Sequence, residues 1–177
     1  GADETLTISG GNSTSLHFGN NGTRLYAFKE NTSNSGFYQF NLTTGYDIST
    51  ATQQSFGNLN FKVKTHSNST DDNGALVLSE DGTKMLVAGS ENNTAVIYLY
   101  ELSTPYEISS ISLSNSTASI TDETFIRGIG LADGDKRFYV IGFNTDDFFE
   151  YSAASDFTIT YHSSIKFSGG TAPTSPA

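Results

Sequence analysis

The chain has 177 residues, enough for one domain with a buried core, and its formal net charge is −10 with only nine Lys and Arg. Scattered basic residues in so acidic a chain argue against nucleic-acid binding, and no apolar run approaches the roughly 20 residues that cross a bilayer, so membrane insertion is not expected. Because cysteine is absent, disulfides and thiolate metal sites are excluded.

The first predicted element is a short strand, Thr5 to Ser9, and a unit of four strands follows over residues 15–64. Asn21-Gly22 lies between its first two apolar runs and is a strong hairpin signal, because the turn needs backbone with positive φ. The element Tyr46-Asp47-Ile48-Ser49-Thr50 precedes the last strand. The four strands are predicted at 15–18, 24–28, 38–42 and 60–64.

A second unit repeats this order over residues 75–114. Its turn is Asp81-Gly82, and the run 95–100 is apolar throughout, which suits a strand covered on both faces. Tyr106-Glu107-Ile108-Ser109-Ser110 repeats the Tyr-Asp-Ile element of the first unit. The four strands are predicted at 75–78, 84–89, 95–100 and 110–114.

A third unit covers residues 126–168 and aligns with the others on Asp133-Gly134. Phe149 and Phe157 keep the spacing of the aromatic pair in the earlier units. The four strands are predicted at 127–131, 137–142, around 149–151 and at 163–168. The Pro/Thr/Ser-rich stretch 171–177 is predicted to be a tail outside the core.

A four-stranded antiparallel unit that recurs at intervals of about 40 to 60 residues is the sequence signature of a β-propeller blade. No window of the sequence shows a convincing helical period. The predicted fold is therefore all-β, with three antiparallel four-stranded β-propeller-like blades and one extra N-terminal strand, in a repeat domain spanning residues 1–170.

The second unit also resembles a known kind of repeat. Ser79-Glu80-Asp81-Gly82-Thr83-Lys84 and Leu102-Ser103-Thr104-Pro105-Tyr106-Glu107-Ile108-Ser109-Ser110 are similar to propeller-type repeats of secreted bacterial and phage-associated proteins, and loosely to archaeal surface-layer repeats. The third unit departs from the pattern, with Asp135 where Thr is usual. The resemblance implies a propeller fold, an extracellular, cell-surface or virion-surface location, and repeats that carry no catalytic residues.

Three units are fewer than the roughly four to eight blades of a closed propeller. The chain could be part of a longer propeller, several chains could complete a ring, or chains could join head to tail with Thr5 to Ser9 pairing on a neighbour's strand edge. We therefore expect a homo-oligomer or a continuation in a longer chain.

Asn-x-Ser/Thr acceptor sequences are more frequent than the roughly four expected from composition. We treat these asparagines as candidate N-glycosylation sites. They are Asn12, Asn21, Asn31, Asn41, Asn68, Asn92 and Asn115.

Acidic loops are weak candidates for calcium binding, since calcium accepts carboxylate oxygens, although none has the spacing of a known calcium loop and Asp is also a common turn residue. The candidates are Asp71, Asp72, Asp133, Asp135, Asp146 and Asp147. No cofactor is expected otherwise. His17, His66 and His162 occupy non-equivalent positions in the three units, so we expect no shared histidine site.

Exposed aromatic side chains are a further lead, since one of the neighbours Phe148 and Phe149 must face away from the core side of its strand. The sequence shows no nucleophile or phosphate-loop motif. We therefore predict a non-enzymatic extracellular structural or adhesive protein that assembles with copies of itself, in filaments if the contacts are head to tail. The alternative is a carbohydrate- or receptor-binding module of a larger cell-surface or phage-tail protein, and a lactonase-like propeller enzyme is the third hypothesis.

Overall fold

The computed structural model describes residues 4–8, 12–30, 36–54, 74–91, 94–120, 123, 126–142, 147–153 and 159–166. Over these residues the chain forms three antiparallel four-stranded sheets, which confirms the predicted all-β, propeller-like fold. Blade 1 holds β1–β4, blade 2 holds β5–β8 and blade 3 holds β9–β12, each with its strands side by side in chain order.

The strands of blade 1 are β1 (Asn12–Gly19), β2 (Arg24–Glu30), β3 (Gly36–Leu42) and β4 (Ala51–Gln53). Those of blade 2 are β5 (Ala75–Leu78), β6 (Lys84–Glu91), β7 (Thr94–Leu102) and β8 (Ile111–Ile120). Those of blade 3 are β9 (Ile126–Ala132), β10 (Arg137–Gly142), β11 (Asp147–Ala153) and β12 (Ile159–Lys166). Two 3-10 helices, Ile48–Thr50 and Ile108–Ser110, precede the last strands of blades 1 and 2.

The predicted hairpin turns are present, but the third aligns one residue later than the sequence indicates. Gly19 pairs with Arg24 in blade 1 and Ala132 pairs with Arg137 in blade 3, so Asp135 occupies the place of Gly22. Both turns hold three successive residues with positive φ, which Asn, Asp and Gly tolerate best. Equivalent positions in the turns of the blades are therefore defined by the pairing of the strands and not by the Asp-Gly pair.

The turn of blade 2 is held by one carboxylate. Asp81 Oδ1 accepts hydrogen bonds from Ser79 Oγ at 2.7 Å, from Thr83 N at 2.9 Å and from Thr83 Oγ1 at 2.7 Å. Partial burial acts to raise the pKa of Asp81, but the hydrogen bonds from Thr83 and Ser79, together with the charge of Lys84, hold it below its ordinary value of 3.8. Asp81 is thus a structural turn residue.

Replacement of Asp81 by Ala is expected to lower the free energy of unfolding at pH 7 by about 1–2 kcal/mol, because three hydrogen bonds to a charged acceptor are lost. Since the folded-state pKa is depressed, this contribution is present above the unfolded-state pKa and disappears as the pH falls through the folded-state value. Urea denaturation of Asp81→Ala at pH 7 and in acid measures both effects. The exposed neighbour Glu80, changed to Ala, is the control; an equal loss in both variants would contradict the assigned role.

The fourth strand of blade 1 differs in place from its prediction. β4 begins directly after the 3-10 helix and pairs with the end of β3, whereas the predicted strand at 60–64 lies outside the described residues. The predicted extra strand at Thr5 to Ser9 is not part of any sheet over residues 4–8, and Leu6 and Ile8 instead pack against the apolar side of blade 1.

Blade 2 is buried on both faces, as its apolar third strand predicts. One face meets blade 1 through Tyr26, Phe28 and Phe37, and the other meets blade 3 through residues that include Phe138 and Phe149. The fully buried blade 2 side chains alternate between these two faces along β6 and β7. The main core therefore lies between the blades.

Polar contacts also join blades 1 and 2. Gln39 of β3 is 1% exposed; its Oε1 accepts from Ile108 N at 2.9 Å and its Nε2 donates to Glu107 Oε2 at 3.0 Å. Arg24 pairs with Glu107 Oε1 at 2.9 Å, and Tyr26 Oη donates to the carbonyl oxygen of Tyr106 at 2.7 Å. The Tyr-Glu-Ile element of blade 2 is thereby docked on the neighbouring face of blade 1.

Candidate functional site

A cleft of about 550 Å³ opens where the first hairpins of the three blades converge. The innermost strand of blade 2, β5, contacts β1 on one side and β9 on the other, and all three strands run into their turns at the same edge. The cleft walls therefore come from every blade. Its described lining includes His17, Asn21, Glu80, Tyr106, Asp133 and Asp135. We call this the mouth cleft.

The turns around the mouth cleft are tied to one another. Glu80 N donates to Asp135 Oδ2 at 2.7 Å, which links the turns of blades 2 and 3. The Tyr106 hydroxyl donates to the carbonyl oxygen of Glu80, and its ring lies close to Gly19 of blade 1 and Gly82 of its own blade. A Cβ at Gly82 would lie 2.5 Å from that ring. Glycine is therefore needed there both for the positive φ and for the close approach of Tyr106.

The mouth cleft is acidic. Glu80, Asp133 and Asp135 contribute carboxylates to its wall, and among the described lining residues there is no Lys or Arg. Burial and then the charges of Asp81, Glu80 and Asp135 raise the pKa of Tyr106, so its hydroxyl stays protonated near neutral pH. A cleft with this balance of charge attracts cations and repels anions, and it does not repel uncharged molecules.

His17 is the titratable side chain of the mouth cleft whose ordinary pKa lies nearest to neutrality. It faces blade 2 from β1, opposite Tyr26, with the two rings stacked at a centroid distance of 6.3 Å. Burial lowers its pKa from 6.5, because desolvation disfavours the imidazolium. The imidazole is therefore neutral at pH 7 and able to accept a proton.

The structure brings together two of the calcium candidates, Asp133 and Asp135, both in the blade 3 turn and both lining the mouth cleft. Asp71, Asp72 and Asp146 lie outside the described residues, and Asp147 begins β11 with its side chain outside the description. Within the described part of the chain no three His, Cys, Asp or Glu side chains group as metal ligands. Calcium binding stays a prediction.

Of the candidate glycosylation sites, Asn21 is exposed in the blade 1 turn, whereas Asn41 is half-buried in β3 and accepts from Gln39 Nε2 at 3.1 Å. Asn31, Asn68 and Asn92 lie outside the described residues. Asn12 and Asn115 lie on β1 and β8, with their side chains outside the description. Glycosylation stays a prediction at all seven positions.

Of the other two histidines, His66 lies outside the described residues, and His162 is on β12 with its side chain outside the description. Nothing in the sequence singles out His17, because the three histidines occupy non-equivalent positions in the three units. The usable signal was its place just before a turn on an innermost strand, where three such turns meet.

No helix among the residues that the structure describes has the length and apolar character to span a membrane.

Comparisons with known proteins show the fold alone. No family model matches the chain, and no curated protein matches it. A crystal structure of a Lactobacillus plantarum protein matches with a TM-score of 0.56 and 20% identity, over 90% of this chain and 43% of that one. A candidate 6-phosphogluconolactonase from Bacteroides fragilis matches with a TM-score of 0.60 and 13% identity, over 91% of this chain and 41% of that one. The chain thus spans less than half the length of either structure.

These comparisons correct the functional predictions. The prediction of a non-enzymatic extracellular structural or adhesive protein, with a carbohydrate- or receptor-binding module as its alternative, is wrong. It took propeller repeats to be structural, yet a solved structure with this fold is named for an enzyme of carbohydrate metabolism, and neither matched structure is named for adhesion or assembly. The fold therefore gives no ground for excluding catalysis.

Proposed function

We propose that the chain is the three-bladed part of a propeller hydrolase that opens a small, uncharged cyclic ester bound in the mouth cleft. The observation that carries this proposal is the neutral, desolvated imidazole of His17 in the wall of a cleft of about 550 Å³. A cleft of that volume is in the range that holds small molecules. The enzyme name of the Bacteroides fragilis structure supports lactone hydrolysis as the reaction class.

The charge of the mouth cleft supports an uncharged substrate. A phosphorylated sugar lactone brings about two negative charges, which proteins bind with clustered Arg and Lys or with helix N-termini. The mouth cleft instead presents the acidic side chains of Glu80, Asp133 and Asp135, which repel a phosphate group. The name of the Bacteroides fragilis structure implies a phosphorylated substrate. We infer that the mouth cleft of this chain instead prefers an unphosphorylated lactone.

His17 acts as the general base in this proposal. Its imidazole takes a proton from a water molecule as the water oxygen bonds to the ester carbonyl carbon. The ring C–O bond then breaks, and the departing alkoxide takes the proton back from the imidazolium to give the open hydroxy acid. The new carboxylic acid gives its proton to solvent water, and repulsion of the resulting carboxylate by the acidic wall favours its release.

Replacement of His17 by Gln is expected to reduce kcat for glucono-1,5-lactone by about 100-fold with KM nearly unchanged, because the base is lost while the polar wall is kept. For the native chain, kcat/KM should fall as the pH is lowered through the pKa of His17, which burial holds below 6.5. Initial rates of acid release, corrected for spontaneous hydrolysis, measure both.

The control is Thr52→Ala, an exposed position on β4 away from the mouth cleft, which should leave the rates unchanged. The 6-phosphorylated lactone should have a kcat/KM at least about tenfold below that of the unphosphorylated one. The absence of catalysed hydrolysis of either compound, or full activity in His17→Gln, would refute the proposal. An extracellular location remains a separate prediction.

A further inference from the structure

The exposed large hydrophobic side chains of the described residues share one property. They are Leu16, Tyr46 and Ile141, with exposures of 68%, 66% and 40%. Leu16 and Tyr46 belong to the side of blade 1 that faces away from blade 2, and Ile141 belongs to the side of blade 3 that faces away from blade 2. Among the described residues, the outer sides of blades 1 and 3 therefore carry exposed apolar side chains.

The outer side of blade 3 repeats the side of blade 1 that receives blade 2. In blade 1 that side presents Arg24, Tyr26 and Phe28 on β2, opposite Asn41, Gln39 and Phe37 on β3. In blade 3, strand pairing places the corresponding side chains in the same arrangement on β10 and β11. They are Arg137, Tyr139 and Ile141, opposite Ser152, Glu150 and Phe148, and we call these six residues the far face.

The far face is built as a contact surface. The rings of Tyr139 and Phe148 lie 5.6 Å apart on it, while Phe138 and Phe149 point the other way into blade 2. Gly130 of β9 lies beside Tyr139, and a Cβ there would meet no atom within 4 Å. The far face therefore has an apolar part formed by Tyr139, Ile141 and Phe148, next to the Arg137–Glu150 ion pair.

Blade 1 carries the element that such a surface receives. In the blade 1–blade 2 junction, Arg24, Tyr26 and Gln39 hold Tyr106, Glu107 and Ile108. The same element in blade 1 is Tyr46-Asp47-Ile48, in which Tyr46 repeats the positive φ of Tyr106. Tyr46 packs on Phe18 and Gly22 of its own blade and is otherwise exposed. Leu16 likewise corresponds to Leu76, which is 3% exposed in the existing junction.

We propose that the far face of blade 3 receives the Tyr46-Asp47-Ile48 element of a second copy of this chain, and that two copies close a six-bladed ring. Six blades lie within the range of about four to eight found in closed propellers. Both junctions are the same by two-fold symmetry, so no edge of the ring is left open. The contact buries all three exposed hydrophobic side chains at once, and Asp47 meets Arg137 as Glu107 meets Arg24.

Two details of the surfaces set the strength of this contact. Leu6 and Ile8 lie on part of the blade 1 side, so the junction replaces their contacts with those of blade 3. Glu150 stands where blade 1 has Gln39, so a carboxyl group faces Asp47 in place of an amide donor. Both features weaken the junction relative to the one between blades 1 and 2.

Sedimentation velocity over a concentration series tests the proposal on the intact chain. We expect a species of twice the chain mass that forms with increasing concentration. Glu150→Gln should lower its dissociation constant by about tenfold, because the amide restores the donor that Gln39 provides. Ile141→Asp should raise the dissociation constant by at least about 30-fold, because docking would bury an unpaired charge. Thr52→Asp, at the exposed β4, is the matched control and should leave it unchanged.

Melting curves of dilute samples show whether each variant is folded. Since the chain has no cysteine, a mixture of Asp47→Cys and Arg137→Cys chains should also join through a short bis-maleimide, whereas Thr52→Cys should not substitute for either. A protein that stays monomeric at every concentration, with Glu150→Gln as well, would overturn the proposal and favour a further blade in a longer chain as the occupant. Open polymers, or a dimer unaffected by Ile141→Asp, would equally overturn it.

Discussion

Replacement of Phe149 by Ala is expected to lower the free energy of unfolding by about 3–5 kcal/mol, because it empties a large part of the core between two blades. Phe149 is 1% exposed and packs between blades 2 and 3, with its ring 6.5 Å from that of Tyr151. The truncation removes a large apolar side chain and leaves a cavity between two sheets, which the paired strands cannot collapse to fill. Equilibrium denaturation in urea, read by circular dichroism, measures the loss.

The neighbouring Phe148 is the matched control for this experiment. The substitution is the same and the positions are adjacent, but Phe148 is half-buried on the outer side of blade 3. Its change to Ala should cost only about 1 kcal/mol when measured at low protein concentration, where copies do not associate. Equal losses for the two variants would mean that β11 does not present alternate faces to blade 2 and to the outside.

Replacement of Gln39 by Leu is expected to cost about 2–4 kcal/mol, although the new side chain is apolar and similar in size. The change leaves Ile108 N without its acceptor in a buried position and removes the Nε2 donor from Glu107. A buried polar group without a partner costs more than a hydrogen bond contributes, so better apolar packing does not compensate.

Gln53→Leu provides the comparison, since Gln53 is exposed on β4 of the same blade. It should change stability by less than about 0.5 kcal/mol. A Gln39→Leu variant as stable as the native chain would show that the Tyr-Glu-Ile element is held to blade 1 by its apolar contacts alone. The same result would weaken the case for Glu150 as the residue that limits ring closure.

The repeats of this chain predict its fold better than its function. The repeated turns and strands predicted the blades, since each blade uses the same local devices for the same backbone path. The inference from repetition to a structural role failed, because a repeated fold does not determine function, which lies in the few side chains that differ between repeats. At the position of His17, blade 2 has Val77 and blade 3 has Gly130, and this difference puts the only neutral imidazole of the described lining in the mouth cleft.

The sequence by itself determined most of the strands, the presence of the turns and the faces of the blades, but not the place of β4. Period-two alternation and positive-φ residues such as Gly22 and Gly82 act within one strand or one hairpin, so their effects can be read along the chain. It also indicated that Phe148 and Phe149 face opposite ways, which the structure confirms.

Only the tertiary structure decided which residues meet between blades. Gln39 and Glu107 are 68 residues apart, and Glu80 and Asp135 are 55 apart. Both contacts depend on how one sheet packs against the next. Burial of apolar surface drives that packing but does not specify which polar groups meet. The mouth cleft and the acidity around His17 arise from that packing, and no pattern within a single repeat contains them.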